Sequence, residues 1–276
     1  VGIRSTFYRI ATIAGQGLLI MLAGGLEIWS GNIKYAWSIT FFILAGLFLA
    51  FSLYHKYILP APGSDKSVVG QNNASSIMEG FIETFASFFR KKQAGVAILF
   101  MLFYRFPEAQ LVKLINPFLL DPVEKGGLGL TTAEVGLVYG TIGIIGLTLG
   151  GIIGGICAAK GGLQKWLWPM AWSISLTCVT FVYLGYVQPQ DLLTINICVF
   201  IEQFGYGFGF TAYMLYLIYY SDGEHKTAHY AICTAFMALG MMLPGMAAGW
   251  LQDHIGYENF FIWVMNMPAK LQTICV

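Results

Sequence analysis

A base and an acid stand three residues apart inside a long apolar run, in the segment Tyr104-Arg105-Phe106-Pro107-Glu108. Residues at this spacing share a face of a helix, so Arg105 and Glu108 can neutralise each other. Pro107 removes a backbone hydrogen bond and is expected to kink the helix beside them. Two interpretations stay open: an ion pair that serves packing alone, or a cavity-facing pair in which Arg105 holds a carboxylate and Glu108 carries a proton.

A second polar group lies in a later apolar run of the sequence. Glu202 and Gln203 stand together, and Tyr206, Gly209 and Tyr213 continue the face of Glu202 at helical spacing. Tyrosine rings with their hydroxyls suit sugar faces and peptide amides, and the glycine leaves room for a bulky ligand. The alternative is a stripe that neighbouring helices satisfy without any ligand.

The candidate residues divide into two chemical roles. Glu108 and Glu202 are the predicted proton carriers, because burial favours the neutral, protonated form of a carboxyl group. The predicted substrate-binding residues offer a cation, amides and phenols for a small glycopeptide or sugar. They are Arg105, Gln203, Tyr206, Tyr213, Asn116 and Gln16.

No arrangement of residues in the sequence indicates catalysis or a cofactor. An enzyme should show a nucleophile beside a base, or paired carboxylates in a hydrated loop, and we find neither. His225 and His229 have a spacing that can hold zinc on a helix, but no clear third ligand accompanies them, so contacts within a loop or gate are favoured. We therefore predict no enzymatic activity, no catalytic residue, no metal and no cofactor.

The composition assigns the chain to the membrane class. Of its 276 residues, 57% are hydrophobic and 11% are charged, whereas soluble domains carry about 25% charged residues. The formal net charge of +1 creates no basic field that would attract nucleic acid. The sequence predicts an all-α polytopic membrane protein that acts as a monomer in the lipid bilayer.

Apolar runs of about 20 residues, the length that spans a bilayer as a helix, recur along the sequence. Seven are predicted, at residues 7–28, 34–58, 94–119, 132–158, 167–187, 192–220 and 229–251. An eighth run starts near Tyr257 and breaks off at Met265, before an atypical tail over 266–276. Because the chain starts at Val1 without a signal peptide, we expect residue 1 to be an internal point of a longer protein.

The longest polar stretch, Pro60–Lys92, separates the first two predicted spans from the others. Its second part, Ile77–Lys92, repeats apolar residues at helical spacing and ends in Arg90-Lys91-Lys92, which predicts an amphipathic helix on a membrane surface. If this loop is cytoplasmic, the alternating spans leave most Lys and Arg residues on the cytoplasmic side, as the positive-inside rule requires. We therefore expect a multi-pass protein of the inner membrane.

Small residues mark one face of the fourth predicted span. Its glycines recur every three or four residues, at Gly136, Gly140, Gly143, Gly146, Gly150 and Gly154. This spacing lets two helix backbones approach closely. The pattern fits pure packing, which we favour, and also a surface on which one helical bundle rocks against another.

The end of that span carries a motif that resembles the loop repeated in major facilitator proteins between their second and third helices and between their eighth and ninth. Gly155, Gly162 and Lys165 match it and are the predicted conformational motif, while the family's acidic position falls on Ala159. The segment Gly245–Phe260 looks like the family's eleventh helix and the turn into its twelfth. The resemblance implies a partial major facilitator fold, with the seven spans as helices five to eleven.

The same resemblance divides the chain. It implies the last two helices of an N-terminal bundle over 1–59, a central cytoplasmic loop over 60–93 and an incomplete C-terminal bundle over 94–265. Within the superfamily the chain is most similar to the AmpG-type muropeptide permeases, and the similarity is carried by the stretches Phe118–Gly143 and Thr227–Trp250.

The AmpG-type resemblance implies import of a cell-wall fragment, an anhydro-sugar bearing a short peptide, driven by the proton gradient. An oligosaccharide or another small solute is the alternative substrate. A membrane-embedded transferase and a non-transporting receptor on the same fold are the alternatives from other functional classes.

Overall fold

A computed structural model describes Ala11, Gly15, residues 19–59 and residues 74–275 of the chain. Within those ranges the regular structure is helical and contains no strand. Six stretches are long and apolar enough to cross a membrane: Ile33–Ile58, Ala94–Leu120, Thr132–Gly161, Leu163–Val187, Leu192–Ser221 and Lys226–Asn266. The predicted all-α polytopic membrane fold is confirmed.

The chain begins with α1 (Leu19–Ser30), α2 (Ile33–Ile58) and α3 (Ala74–Phe89). α1 is the described part of the predicted span 7–28, and it packs against α2. The Asn32 side chain accepts a hydrogen bond from the Tyr35 amide at 3.3 Å and thereby caps α2. Most of the α2 surface is exposed and apolar, so it needs lipid or other helices to cover it.

Three of the following spans consist of consecutive helical segments. They are α4 (Ala94–Phe103) with α5 (Phe106–Leu120), then α6 (Thr132–Leu137) with a π-helical segment (Val138–Gly143) and α7 (Ile144–Gly161), then α8 (Leu163–Thr177) with α9 (Val179–Val187). α10 (Leu192–Ser221) is continuous over 30 residues. These spans agree closely with the predicted apolar runs.

The last helix, α11 (Lys226–Cys275), contains the predicted turn between the seventh and eighth apolar runs. Gly256 has non-helical angles, φ 76° and ψ 167°, which a glycine adopts without the steric cost of a Cβ. The helix extends to Cys275, past the end of the apolar run at Met265. Residues 269–272 are Ala, Lys, Leu and Gln, which have high helix propensity.

Local sequence explains where two of the spans begin. Thr131 and Glu134 form a reciprocal capping box at the start of α6, which satisfies two backbone donors. The Asp191 carboxylate accepts a hydrogen bond from the Thr194 amide at 2.8 Å and caps α10. Hydrogen bonds from the side chain and then from the backbone amide of Thr194 hold the pKa of Asp191 below its ordinary value.

The glycine face of the fourth span packs against α10. A Cβ on Gly150 would stand 2.1 Å from the carbonyl oxygen of Phe204, and a Cβ on Gly146 would stand 2.6 Å from that of Phe200. Both distances are too short for any side chain, so the two backbones touch through these glycines. Gly136, by contrast, has open space beside it and takes no part in the contact.

α10 is held equally closely on a second face by α8. A Cβ on Gly209 would lie 2.4 Å from the carbonyl oxygen of Met170, and one on Gly205 would meet the Thr177 side chain at 2.3 Å. Glycines therefore fix α10 between α7 and α8. Its remaining face turns toward α4 and α5, where the polar candidate residues lie.

The amphipathic helix α3 packs with one edge against the bundle. The Phe88 ring is fully buried and contacts the rings of Tyr220, His229 and Phe236 at centroid distances of 5.6, 5.7 and 6.1 Å. The apolar side chains on the rest of its surface are exposed, namely Met78, Phe81, Ile82, Phe85 and Phe89. An exposed aromatic face on such a helix is what a membrane surface would cover.

Candidate functional site

The site begins at a break in a membrane-spanning helix. Arg105 has φ −103° and ψ 11° and separates α4 from α5, with Pro107 at the start of α5. Proline has no amide hydrogen and its ring clashes with the carbonyl four residues earlier, so the helix cannot continue through it. The kink predicted from the sequence is present, and it places Arg105 at the junction of two helical segments.

Arg105 and Glu108 form a buried ion pair at this break. Arg105 Nη2 lies 2.9 Å from Glu108 Oε2. The two residues are 6% and 2% exposed, so each charge depends on the other for compensation. The ion pair predicted from the three-residue spacing of Arg105 and Glu108 is present.

The guanidinium of Arg105 also contacts two aromatic side chains of α10. Its Nη2 donates a hydrogen bond to the Tyr206 hydroxyl. The guanidinium carbon lies 5.2 Å from the Tyr206 ring centroid and 4.7 Å from that of Phe210, within the range of a cation–π interaction. Arg105 Nε is buried and has no hydrogen-bond partner among the described residues.

A second buried carboxyl group lies near this pair. Glu202 is 2% exposed, and its Oε2 accepts a hydrogen bond from Gln203 Nε2 at 2.9 Å. It lies within electrostatic range of Glu108. Tyr139, from the π-helical segment, is close enough to interact with both carboxyl groups. Three helical segments, α5, α10 and the π-helical segment, thus contribute polar groups that join Arg105 in one cluster.

Two tyrosines join α4 and α10 just beyond this cluster. The Tyr104 hydroxyl donates to the carbonyl of Gly209 at 3.0 Å, and the Tyr213 hydroxyl donates to the carbonyl of Met101 at 2.7 Å. Their rings stack at a centroid distance of 5.2 Å. Tyr213 is fully buried, so a ligand would reach it only after the helices rearrange, and its predicted ligand contact stays a prediction.

Asn116 is not part of the cluster: it is exposed and lies about two helical turns along α5 from Glu108. Gln16, the other remaining predicted substrate-binding residue, lies outside the described residues. Gln110, two residues beyond Glu108, is buried, and its Oε1 accepts a hydrogen bond from Trp263 Nε1 at 3.3 Å.

Comparison with known proteins gives the site a context. No protein-family model matches the chain. The chain is 28% identical over 262 residues to a protein of Rickettsia felis named putative transporter AmpG 4, covering 92% of this chain and 59% of that protein. It is 21% identical over 252 residues to the anhydromuropeptide permease of Escherichia coli, covering 91% of this chain and 49% of the permease. The resemblance to AmpG-type transporters is confirmed.

The AmpG-like similarity extends over nearly the whole chain. An uncharacterized protein of Haemophilus influenzae is 23% identical over 278 residues, which covers 98% of this chain and 61% of that protein. The chain spans about half to three-fifths of the length of these relatives. The named relatives are transporters and a permease, which supports the prediction that the chain is not an enzyme.

The predicted conformational motif lies between α7 and α8 of the AmpG-like bundle. Gly162 joins the two helices with φ +77°, a conformation that glycine adopts readily, and its amide donates to the carbonyl of Ala158 at 2.9 Å. Gly155 has open space beside it, and Lys165 is exposed. Their role in conformational change stays a prediction.

The histidine pair contacts the amphipathic helix. His229 is buried, and its Nε2 lies 2.9 Å from Ser87 Oγ of α3. The His225 ring lies edge-on to that of His229 at 5.9 Å. The described part of the chain holds no group of three residues that could bind a metal ion. The arrangement fits the contact role that the sequence favoured.

The sequence did not point to three side chains in or beside the cluster. Phe210 and Tyr104 stand in apolar runs, where aromatic residues are expected for packing alone. Tyr139 reaches the carboxyl groups from the π-helical segment, and such segments often occur at functional sites. Phe210 follows Tyr206 by four residues, so the two share a face of α10. This spacing was the one feature of the sequence that indicated a contact between Phe210 and Arg105.

Proposed function

We propose that the protein is a secondary active transporter that imports muropeptide, an anhydro-sugar bearing a short peptide, together with protons. The observation that carries this proposal is the buried Arg105–Glu108 ion pair at the break of a spanning helix, beside a second buried carboxyl group. The names of the AmpG-type relatives support both the transporter class and the substrate class.

Arg105 is the group that would hold the substrate's peptide carboxylate. A guanidinium has five hydrogen-bond donors in a fork that matches a carboxylate. Two of them are used on Glu108 and Tyr206, and the buried Nε has no partner. A substrate carboxylate can therefore compete with Glu108 for the guanidinium without first breaking every contact that orients it.

This competition would couple substrate binding to a proton. When the substrate carboxylate takes over Arg105, Glu108 stays buried without its cation. A buried carboxylate without compensation is unfavourable, so Glu108 takes up a proton. Glu202 lies within electrostatic range and is the second group through which the proton would pass. Release of the substrate on the other side reverses the exchange.

The sugar would lie against the polar groups of α10. The Gln203 amide and the Tyr206 ring and hydroxyl follow Glu202 along α10 and belong to the same buried cluster. Aromatic faces and amide groups are the common ligands for such amphipathic molecules. Tyr213 and Asn116 would join them only if transport rearranges the helices.

The membrane arrangement is also part of the proposal. We place the protein in the inner membrane as a monomer, with residues 60–93 in the cytoplasm, because most Lys and Arg residues then lie on the cytoplasmic side. The divisions at residues 59, 93 and 265 follow from the same topology. Labelling of the Arg90–Lys92 cluster only from outside the cell would contradict it.

Uptake in membrane vesicles tests the function. Vesicles that contain the protein should accumulate labelled anhydromuropeptide when a proton gradient is imposed, and accumulation should stop when an uncoupler collapses the gradient. An oligosaccharide of equal size is the control substrate. Binding without accumulation would indicate a receptor, and a chemically altered product would indicate a transferase; either result would refute the proposal.

A further inference from the structure

A cavity outside the buried cluster opens between the start of α4 and the end of α10. It has a volume of about 630 Å³, a size typical of small-ligand sites. Its lining combines two cations with phenol groups, and includes Lys91, Lys92, Tyr216, Tyr219 and Tyr220. None of these residues has a role in the proton and substrate scheme above.

Lys91 is fixed at the wall of this cavity. Its Nζ donates to the backbone carbonyls of Tyr220 at 2.7 Å and Asp222 at 2.8 Å, at the end of α10, and lies 5.4 Å from the Tyr220 ring centroid. An ammonium has three donors, so one remains for a ligand. Asp222 also lines the cavity; its carboxylate pairs with Lys226 at 2.9 Å and also interacts electrostatically with Lys91.

Two further groups of the cavity lack partners. Lys92 is exposed and makes no ion pair within the described part of the chain. The Tyr220 hydroxyl is buried and has no hydrogen-bond partner there. A cation and a spare ammonium donor at one cavity suit the oxygen atoms of an anion.

The position of the cavity selects the kind of anion. It follows directly after α3, whose exposed face is apolar and aromatic. A helix of this kind lies in the plane of the membrane surface with its apolar face in the lipid. Lys91 and Lys92, which immediately follow it, then lie at the depth of the lipid headgroups, where Lys residues attract anionic lipids.

We infer that this cavity is a binding site for the phosphate headgroup of an anionic phospholipid. Lys91 and Lys92 supply the positive charge and the hydrogen-bond donors for the phosphate. The bound lipid also covers part of the exposed face of α3. The site is separate from the substrate cluster and would stand even if the transported solute were a different one.

Native mass spectrometry of the full chain, titrated with phosphatidylglycerol or phosphatidylcholine of the same acyl chains, tests this inference. Each lysine near an anionic surface contributes about fivefold in affinity, so we expect phosphatidylglycerol to bind at least about fivefold more tightly. Lys92→Gln should lower that preference about fivefold. Lys160→Gln removes an exposed charge at the end of another span and should change nothing.

Each of four results would overturn the inference. Equal binding of the two lipids, or an unchanged preference in Lys92→Gln, would exclude a headgroup site in this cavity. Displacement of phosphatidylglycerol by inorganic phosphate alone would assign the cavity to a free anion. Displacement by anhydromuropeptide would assign it to the transport pathway and not to a lipid.

Discussion

Replacing Glu108 by glutamine keeps the shape of the side chain but removes its charge and its titratable proton. In the native protein, Glu108 Oε2 accepts from Arg105 Nη2 at 2.9 Å, and both side chains are buried. Removing one partner of a buried ion pair costs about 3–5 kcal/mol when the other charge is left uncompensated. Two features of this site make the expected cost smaller than that.

The first feature is that glutamine retains an oxygen acceptor for Arg105. The second is that Arg105 keeps its hydrogen bond to the Tyr206 hydroxyl and its contacts with the Tyr206 and Phe210 rings; each ring contact is worth about 0.5–2 kcal/mol. The substitution therefore replaces a hydrogen bond between two charged groups, Arg105 and Glu108, by a weaker one from Arg105 to a neutral amide oxygen. We therefore expect Glu108→Gln to lower the free energy of unfolding by about 1.5–3 kcal/mol and to remain folded.

The functional effect should be larger and selective. Glutamine cannot carry a proton, so uptake driven by an imposed proton gradient should be lost. Counterflow, the exchange of labelled for unlabelled substrate, needs no net proton movement and should persist. The matched control is Glu134→Gln, because Glu134 is a half-buried capping residue at the start of another span and glutamine also fits a capping box. Equal loss of driven uptake and counterflow in Glu108→Gln would refute the coupling role.

Three other substitutions test separate parts of the structure. Arg105→Ala should reduce uptake of carboxylated ligands more than that of neutral analogues, measured side by side in vesicles; indifference to ligand charge would remove its binding role. Gly150→Ala places a Cβ 2.1 Å from the Phe204 carbonyl oxygen, so it should lower the free energy of unfolding, measured by thermal unfolding, by about 1–3 kcal/mol. Its control, Gly136→Ala, adds a Cβ in open space and should not destabilise the protein. Hydrogen bonds from Thr194 lower the pKa of Asp191. The Asp191 cap therefore stabilises the folded protein at pH values above the ordinary pKa of aspartate, and this stabilisation is lost as pH falls through the lowered pKa. Asp191→Asn, which caps equally well, should abolish that acid-dependent loss; an unchanged acid profile would contradict the cap's role.

The features that the sequence predicted are those that depend on near neighbours. Arg105 and Glu108 are three residues apart, and Pro107 breaks the helix beside them, so both the pair and the kink follow from helix geometry. The glycine face of the fourth span is likewise periodic. A glycine face of this kind predicts a close contact with another helix backbone. In the structure that backbone is α10, at Phe200 and Phe204.

The features that the sequence could not predict depend on distant neighbours. Arg105 contacts Tyr206 across 101 positions of the chain, and periodicity within one helix does not tell which helix it will face. Lys91 stands in a run of three basic residues that looks like a solvated surface. It instead binds the carbonyl groups at the end of α10, 129 positions away in the case of Tyr220.

The glycine contacts and the polar cluster depend on each other through α10. A helix that meets α7 and α8 through side chains can shift as those side chains change rotamer. α10 meets them through glycines at backbone contact, so it has no such freedom, and the position of Tyr206 relative to Arg105 is set by the backbones themselves. Gly146 and Gly150 lock α7 to α10 within the same group of helices, so these contacts match the packing interpretation of the glycine face. Rocking of one helical bundle against another on this face stays a prediction, because a surface that slides cannot also hold its two helices at backbone contact.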